Sequence, residues 1–137
     1  TYPAEIIPHV LALLLNRELD FITCNRLSMM DPNAMSMTHK VGNWSLTQAT
    51  NILHGIHIHD SQSGMWIFRR CILKEIRLTS DGMPLSEEIK IETFRRGLNV
   101  LEIPVEYRAR IGDVKLNTME DGIRNLWFLV TKMADFQ

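Results

Sequence analysis

Asp60-Ser61-Gln62-Ser63-Gly64 runs into Met65-Trp66-Ile67-Phe68-Arg69-Arg70, Glu87-Glu88 follows, and Ile103-Pro104-Val105-Glu106-Tyr107-Arg108-Ala109-Arg110-Ile111-Gly112-Asp113-Val114-Lys115 closes the series. Asp, Ser and Gly are common turn formers, so residues 60–64 read as a strand-connecting turn. Met65 to Phe68 then reads as a short strand. Leu98 to Arg108 alternates through Leu98, Val100, Ile103, Val105 and Tyr107, which suits a second strand, and Pro104 argues for an edge or a bulge within it. Between them, Ser86 before Glu87, Glu88 and Ile89 predicts a capped helix start, with both acids near its positive end and Gly97 as its stop.

Outward toward the amino terminus, Ile6, Ile7, Val10, Leu11 and Leu14 recur at helical spacing until Asn16, with Pro3 at a tolerant first turn. Leu19 to Asn25 is a β-branched and aromatic run that predicts a buried strand with Arg26 at its carboxyl end, where ligands gather in open α/β sheets. Leu27 to Lys40 has no clean period and predicts a long loop. Val41 to Leu53 predicts a helix stopped by Gly55. The following Ile56-His57-Ile58-His59-Asp60 has strand-like alternation; it places both histidines on one face without a third metal ligand at usable spacing. Cys71 to Ile76 predicts a short helix and Ser80 to Pro84 a turn. In the last helix, about residues 117–135, Met119, Ile123, Leu126, Trp127 and Val130 form one apolar stripe, which Phe128 and Leu129 widen.

The chain has 137 residues, 45% of them hydrophobic, enough for about one domain with one core. A net charge of −1 gives no overall field to hold nucleic acid, although Arg69, Arg70, Lys74, Arg77, Arg95, Arg96, Arg108, Arg110 and Lys115 concentrate base in the second half. An anion site must therefore be local. Cys24 and Cys71 lack metal-ligand spacing and are expected to be free, buried thiols. The longest strictly apolar run, Val10 to Leu15, is too short to cross a bilayer.

The ordered series resembles the second half of the family 2 glycosyltransferases, in the branch typified by dolichyl-phosphate mannose synthase, from Tyr2 to about Trp127. The resemblance implies an α/β fold: the acceptor-side half of a Rossmann-like, mixed-sheet domain of the GT-A type, with residues 1–137 as a partial catalytic domain. In that family an acidic metal-binding motif precedes a stretch like Tyr2-Pro3-Ala4-Glu5-Ile6-Ile7-Pro8. The magnesium or manganese ion is thus expected to be held upstream, with no complete metal site and no activity in this segment alone.

The resemblance also assigns residues. Asp60 and Glu88 are implied to be catalytic, Glu88 at the start of the acceptor-side helix. Arg110 and Lys115 belong to a loop, Arg110-Ile111-Gly112-Asp113-Val114-Lys115, that reaches over a diphosphate or an acceptor phosphate. Gly112 is its hinge, and Val114 stands where serine is usual. Arg26, Ser63, Gly64, Arg108 and Gly112 are implied to bind substrate, and Gly42-Asn43 fits a helix that follows the acceptor loop.

The activity implied is transfer of a hexose, as in a mannosyltransferase, from a nucleotide sugar to a polyprenyl phosphate on the cytoplasmic face of a membrane, with inversion. A lipid phosphate is ionised at neutral pH and needs no strong base; a sugar hydroxyl would need a carboxylate such as Asp60 or Glu88. Three other readings stand beside it. They are a non-catalytic module that holds a phosphorylated lipid or nucleotide, an interaction domain whose last helix docks a partner or lies on a membrane, and a family 2 enzyme acting on a polysaccharide or glycolipid. Half a doubly wound sheet is also expected to associate through its open edge or the last helix.

Overall fold

The computed structural model describes residues 1–109 and 118–134. Arg110, Gly112 and Lys115, the residues of the expected phosphate loop, lie outside the described residues. A 3-10 turn at Ala4–Ile6 leads into α1 (Ile7–Asn16), with Pro8 in the first turn, where a missing N–H costs nothing. There follow β1 (Phe21–Met30), α2 (Met37–His54), β2 (Trp66–Phe68), a 3-10 turn at Arg70–Lys74, α3 (Met83–Arg95), β3 (Val100–Tyr107) and α4 (Thr118–Ala134).

The sheet is mixed, in the order β2-β1-β3, with β2 antiparallel and β3 parallel to the central β1. Successive residues of β1 point to opposite faces. Ile22 packs with Val10 and Leu14 of α1 on one side, while Phe21 packs with Ile72, Ile76 and Ile89 on the other. Helices therefore cover both faces of a mixed α/β sheet, as the α/β reading expected.

Halfway along β1 the pairing slips. Asn25 pairs with Pro104 but Met29 already pairs with Glu106, so four steps along β1 match two along β3. Pro104 has no N–H to donate to the ladder, and the chain at residues 26–28 bulges out opposite it. Side chains meet the displaced backbone: Leu27 N–H donates to Asn25 Oδ1 at 2.8 Å, and Arg26 N–H to Asp60 Oδ2 at 3.0 Å. The bulge thus turns Arg26 out of the ladder and ties it to the loop that begins at Asp60.

Several expectations need correction. The long loop over 27–40 is mostly ordered structure: β1 continues through the bulge to Met30, and α2 starts at Met37, capped by Ser36 Oγ accepting from His39 N–H. Gly55 does end α2, at φ 63° in the left-handed region. Residues 56–60 are irregular, because the side chain of Asn51 takes both the N–H and the carbonyl of Ile58. The helix expected at 71–76 is a 3-10 turn from Arg70. Cys24 is free and buried, and burial pushes its thiol up to about 11, but Cys71 is exposed.

Ser86 does not cap α3. Gly82 and Pro84 start the helix, so Glu87 and Glu88 fall in its second turn and are fully buried. The apolar stripe of α4 is turned the other way. Ile123, Leu126, Trp127 and Val130 are exposed, while Asn125, Leu129 and Lys132 face inward; the side chain of Met119 lies outside what is described. Polar anchors decide the rotation: Asn125 binds Gln62, and Lys132 pairs with Glu88 at 2.9 Å and Glu92 at 3.1 Å.

Candidate active site

The carboxyl end of β1 opens onto a cavity of about 420 Å³, between the amino-terminal parts of α2 and α4. Arg26 and Tyr107 line it from the sheet, Gln62 from the loop after α2, and Asn125 from α4. Met35, Leu46 and Met83 supply apolar wall. Asn33, Ser36, His39, Asn43 and Asp121 add polar groups to this wall, and a cleft that combines apolar area with convergent polar groups has the character of a small-molecule site.

Arg26 is the cation of this cavity. Its Nε–H donates to Asp60 Oδ2 at 2.8 Å and Nη2 to Oδ1 at 2.9 Å, a bidentate pair in which Asp60 is fully buried. The guanidinium lies 5.4 Å from the ring centroid of Tyr107, which meets Tyr2 edge-on at 5.3 Å. Burial alone would raise the Asp60 carboxyl, but the hydrogen bonds and charge of Arg26, joined by Lys90, hold it below its ordinary value. Burial works against the Arg26 cation too, and Asp60 more than offsets it. Arg26 is therefore charged at any working pH and fixed in one orientation.

The loop that carries Asp60 is held from beneath. Lys90 of α3, fully buried, donates to the backbone carbonyls of Asp60 at 3.1 Å, Ser61 at 2.8 Å and Ser63 at 2.6 Å, using all three ammonium protons. Burial draws its pKa down to about 8, which leaves it charged at neutrality. Tyr2 closes the loop from the other side: its hydroxyl lies 3.3 Å from Ser63 Oγ and accepts from Gly64 N–H at 2.8 Å. Glu102 of β3 receives the N–H groups of His59 and Asp60.

Glu87 sits behind this loop. Its Oε1 accepts from Thr50 Oγ1 at 2.8 Å, Ser61 Oγ at 3.1 Å and Gln62 Nε2 at 2.6 Å, while Oε2 is buried without a partner. Burial pushes the carboxyl up to about 7 against those donors. Gln62 passes the contact on, its Oε1 accepting from Asn125 Nδ2 at 2.8 Å.

The structure thus brings Arg26 of β1 against the loop that carries Asp60, Ser63 and Gly64, and of these four Arg26 lines the cavity while the other three lie behind it. It does not bring the other expected residues to the cavity. Glu88 lies in a separate buried cluster, where it accepts from the N–H groups of Thr79 and Ser80, from Thr79 Oγ1 and from Lys132. Arg108 is solvent-exposed and pairs with Glu5 and Glu106. Gly42 and Asn43 lie within α2 and border the cavity. Asn125 and the amide of Gln62 were not singled out from the sequence. Gln62 stands inside the turn motif, a signal that could have found it; Asn125 is one polar residue in an apolar stripe. No group of three or more His, Cys, Asp or Glu side chains that could hold a metal occurs among the described residues, and no described helix is long and apolar enough to cross a membrane.

No family model and no solved structure matches the chain. Among curated proteins it is similar to a dolichyl-phosphate hexose transferase of Haloferax volcanii, 33% identical over 89% of this chain and 52% of that protein. A low-salt glycan biosynthesis hexosyltransferase of the same organism is 30% identical, over 99% of the chain and 33% of its own length. A UDP-N-acetylglucosamine–dolichyl-phosphate N-acetylglucosaminyltransferase of Methanococcus voltae is 27% identical over 82% of the chain and 42% of its own length. The chain spans about half the length of the first relative and less of the other two. These relatives agree with the family resemblance carried by the residue series, and over most of its length the chain is similar to proteins named as glycosyltransferases.

Proposed function

We propose that the protein of which this chain is part transfers a hexose from a nucleotide-sugar donor to a polyprenyl, dolichyl-type phosphate, and that the cavity beside Arg26 receives the acceptor phosphate. The observation that carries the reading is Arg26 itself, a buried guanidinium locked by Asp60 at the mouth of a largely apolar cleft. A fixed cation beside apolar wall suits an anionic headgroup with a hydrocarbon tail. The relatives' names, two of which include dolichyl phosphate, support the same acceptor class.

In this reading the domain is a family 2, GT-A type domain and the reaction inverts the anomeric carbon. An oxygen of the ionised acceptor phosphate attacks that carbon as its bond to the nucleotide diphosphate breaks, and the leaving diphosphate takes the electron pair. No strong base is required, which agrees with Asp60 being committed to Arg26 and Glu88 to Lys132. Arg110 and Lys115 would supply positive charge to the leaving group on the strength of the family resemblance. A magnesium or manganese ion, which the family resemblance implies, would stabilise charge on the leaving diphosphate. The exposed Ile123, Leu126, Trp127 and Val130 of α4 give an apolar face suited to the membrane surface that bears such an acceptor.

The test is a transfer assay on the full-length protein with labelled sugar nucleotides, polyprenyl phosphate and manganese, counting label extracted into organic solvent. Lysine cannot reproduce the bidentate fork, so Arg26→Lys is expected to lose at least about tenfold in lipid-linked label while keeping its circular dichroism. Equal label in wild type and Arg26→Lys would contradict the assignment of the cavity. Phosphate binding without transfer from any donor would favour the binding module.

A further inference from the structure

The side chains behind the cavity form a relay whose direction is chemically set. Gln62 Nε2 donates both to Glu87 Oε1 and to Ser61 Oγ, which itself donates to Glu87, so the Gln62 amide turns its NH2 toward this pair. Reversing the amide would set the Gln62 carbonyl against a carboxylate oxygen. Its carbonyl Oε1 therefore faces Asn125 and accepts from Nδ2, which fixes the second amide in turn. What the relay leaves over is Asn125 Oδ1. That oxygen is buried and has no hydrogen-bond partner, on a side chain 1% exposed that lines the cavity together with Arg26. A buried acceptor without a donor is costly in a native protein and calls for an explanation.

We propose that Asn125 Oδ1 reads a hydroxyl of the transferred hexose, and that Gln62, gripped by Glu87, is the positioning residue that aims it. The inference rests on the transferase reading given above. Three chemical groups meet at the reacting centre in that reading: a phosphate, an isoprenoid chain and a hexose. Phosphate oxygens at neutral pH are acceptors and would be repelled by another acceptor, and an isoprenoid has no polar hydrogen. Only the hexose offers O–H donors. The site is thus a specificity element separate from the Arg26–Asp60 pair: Arg26 selects charge, Asn125 selects a hydroxyl. A polar group built to receive a hydroxyl discriminates against analogues that lack it, because it is then left unpaired.

The experiment uses the full-length enzyme with the hexose nucleotide it transfers best, a panel of monodeoxy analogues of that hexose, and the analogue deoxygenated on the ribose. For the wild type, one monodeoxyhexose is expected to lose about tenfold or more in kcat/KM relative to the parent sugar, and the ribose analogue is expected to be transferred normally. Asn125→Leu should lose a similar factor on the parent sugar and show no further loss on that same analogue, so that the two changes are non-additive. Wild-type enzyme that transfers every monodeoxyhexose as well as the parent overturns the inference without any variant. So does discrimination that survives intact in Asn125→Leu, or that follows the ribose hydroxyl instead. Wild-type enzyme that transfers no hexose at all overturns the transferase reading, and this inference falls with it.

Discussion

Lys90→Met is expected to destabilise the fold by about 3–5 kcal/mol, although methionine nearly matches lysine in volume. The ammonium is fully buried and donates to three backbone carbonyls of one loop, those of Asp60, Ser61 and Ser63. A thioether donates to none of them. Each carbonyl left unmet away from water costs about 1–3 kcal/mol, and some recovery through water or rearrangement brings the total into the stated range. Lys90 also adds positive charge that favours the ionised Asp60. Urea unfolding followed by circular dichroism measures the effect, and a loss below about 1 kcal/mol would show that the loop does not depend on this contact. Because Arg26 is aimed by Asp60, a variant that still folds should also lose transfer activity.

Glu87→Gln is expected to stabilise the protein above neutral pH. Burial raises the Glu87 carboxyl from 4.5 to about 7, so the folded chain binds this proton more tightly than the unfolded chain. The stability contributed by the neutral carboxyl is complete below about pH 4.5 and is lost as pH rises through about 7. The gap between those values corresponds to about 3 kcal/mol. Glutamine keeps an acceptor oxygen for Thr50, Ser61 and Gln62 and never ionises. It should match the wild type near pH 5 and exceed it by about 2 kcal/mol at pH 8, allowing for one amide group without an acceptor. The difference between the two proteins isolates this residue from every other titration. A variant that is less stable at pH 8, or a difference that does not change between pH 5 and 8, would contradict the account.

Where local pattern and packing agree, the sequence was readable. The apolar spacing of α1, the run entering β1 and the left-handed Gly55 after α2 are local signals, and each appears where the residues place it. Arg26 was placed at the end of that strand, but it lies inside β1, where the bulge rather than a strand end turns it out of the ladder. Reading failed where a distant partner decides. Residues 27–30 looked like loop because the bulge is defined by pairing with a neighbouring strand at Pro104, nearly eighty residues away in sequence. Glu87 and Glu88 looked like dipole partners, and their burial depends on Thr50, Gln62 and Lys132 from other elements. α4 was rotated in the same way. Its apolar stripe is exposed because the opposite face carries Asn125 and Lys132, whose partners are buried carboxylates and an amide that no periodicity announces. The Asn125 site is invisible in sequence for that reason, as a relay of amides has no repeat.

In the reading proposed above, the phosphate of the lipid acceptor lies in the cavity beside Arg26. Photo-crosslinking tests it most directly, using full-length protein and a polyprenyl phosphate that carries a diazirine on the isoprene unit next to the phosphate, with labelled peptides mapped by mass spectrometry. The account predicts label on Met35, Leu46 or Met83, the apolar wall of that cavity, and loss of that label when excess unmodified polyprenyl phosphate competes. Competable label confined to residues outside the cavity would contradict it.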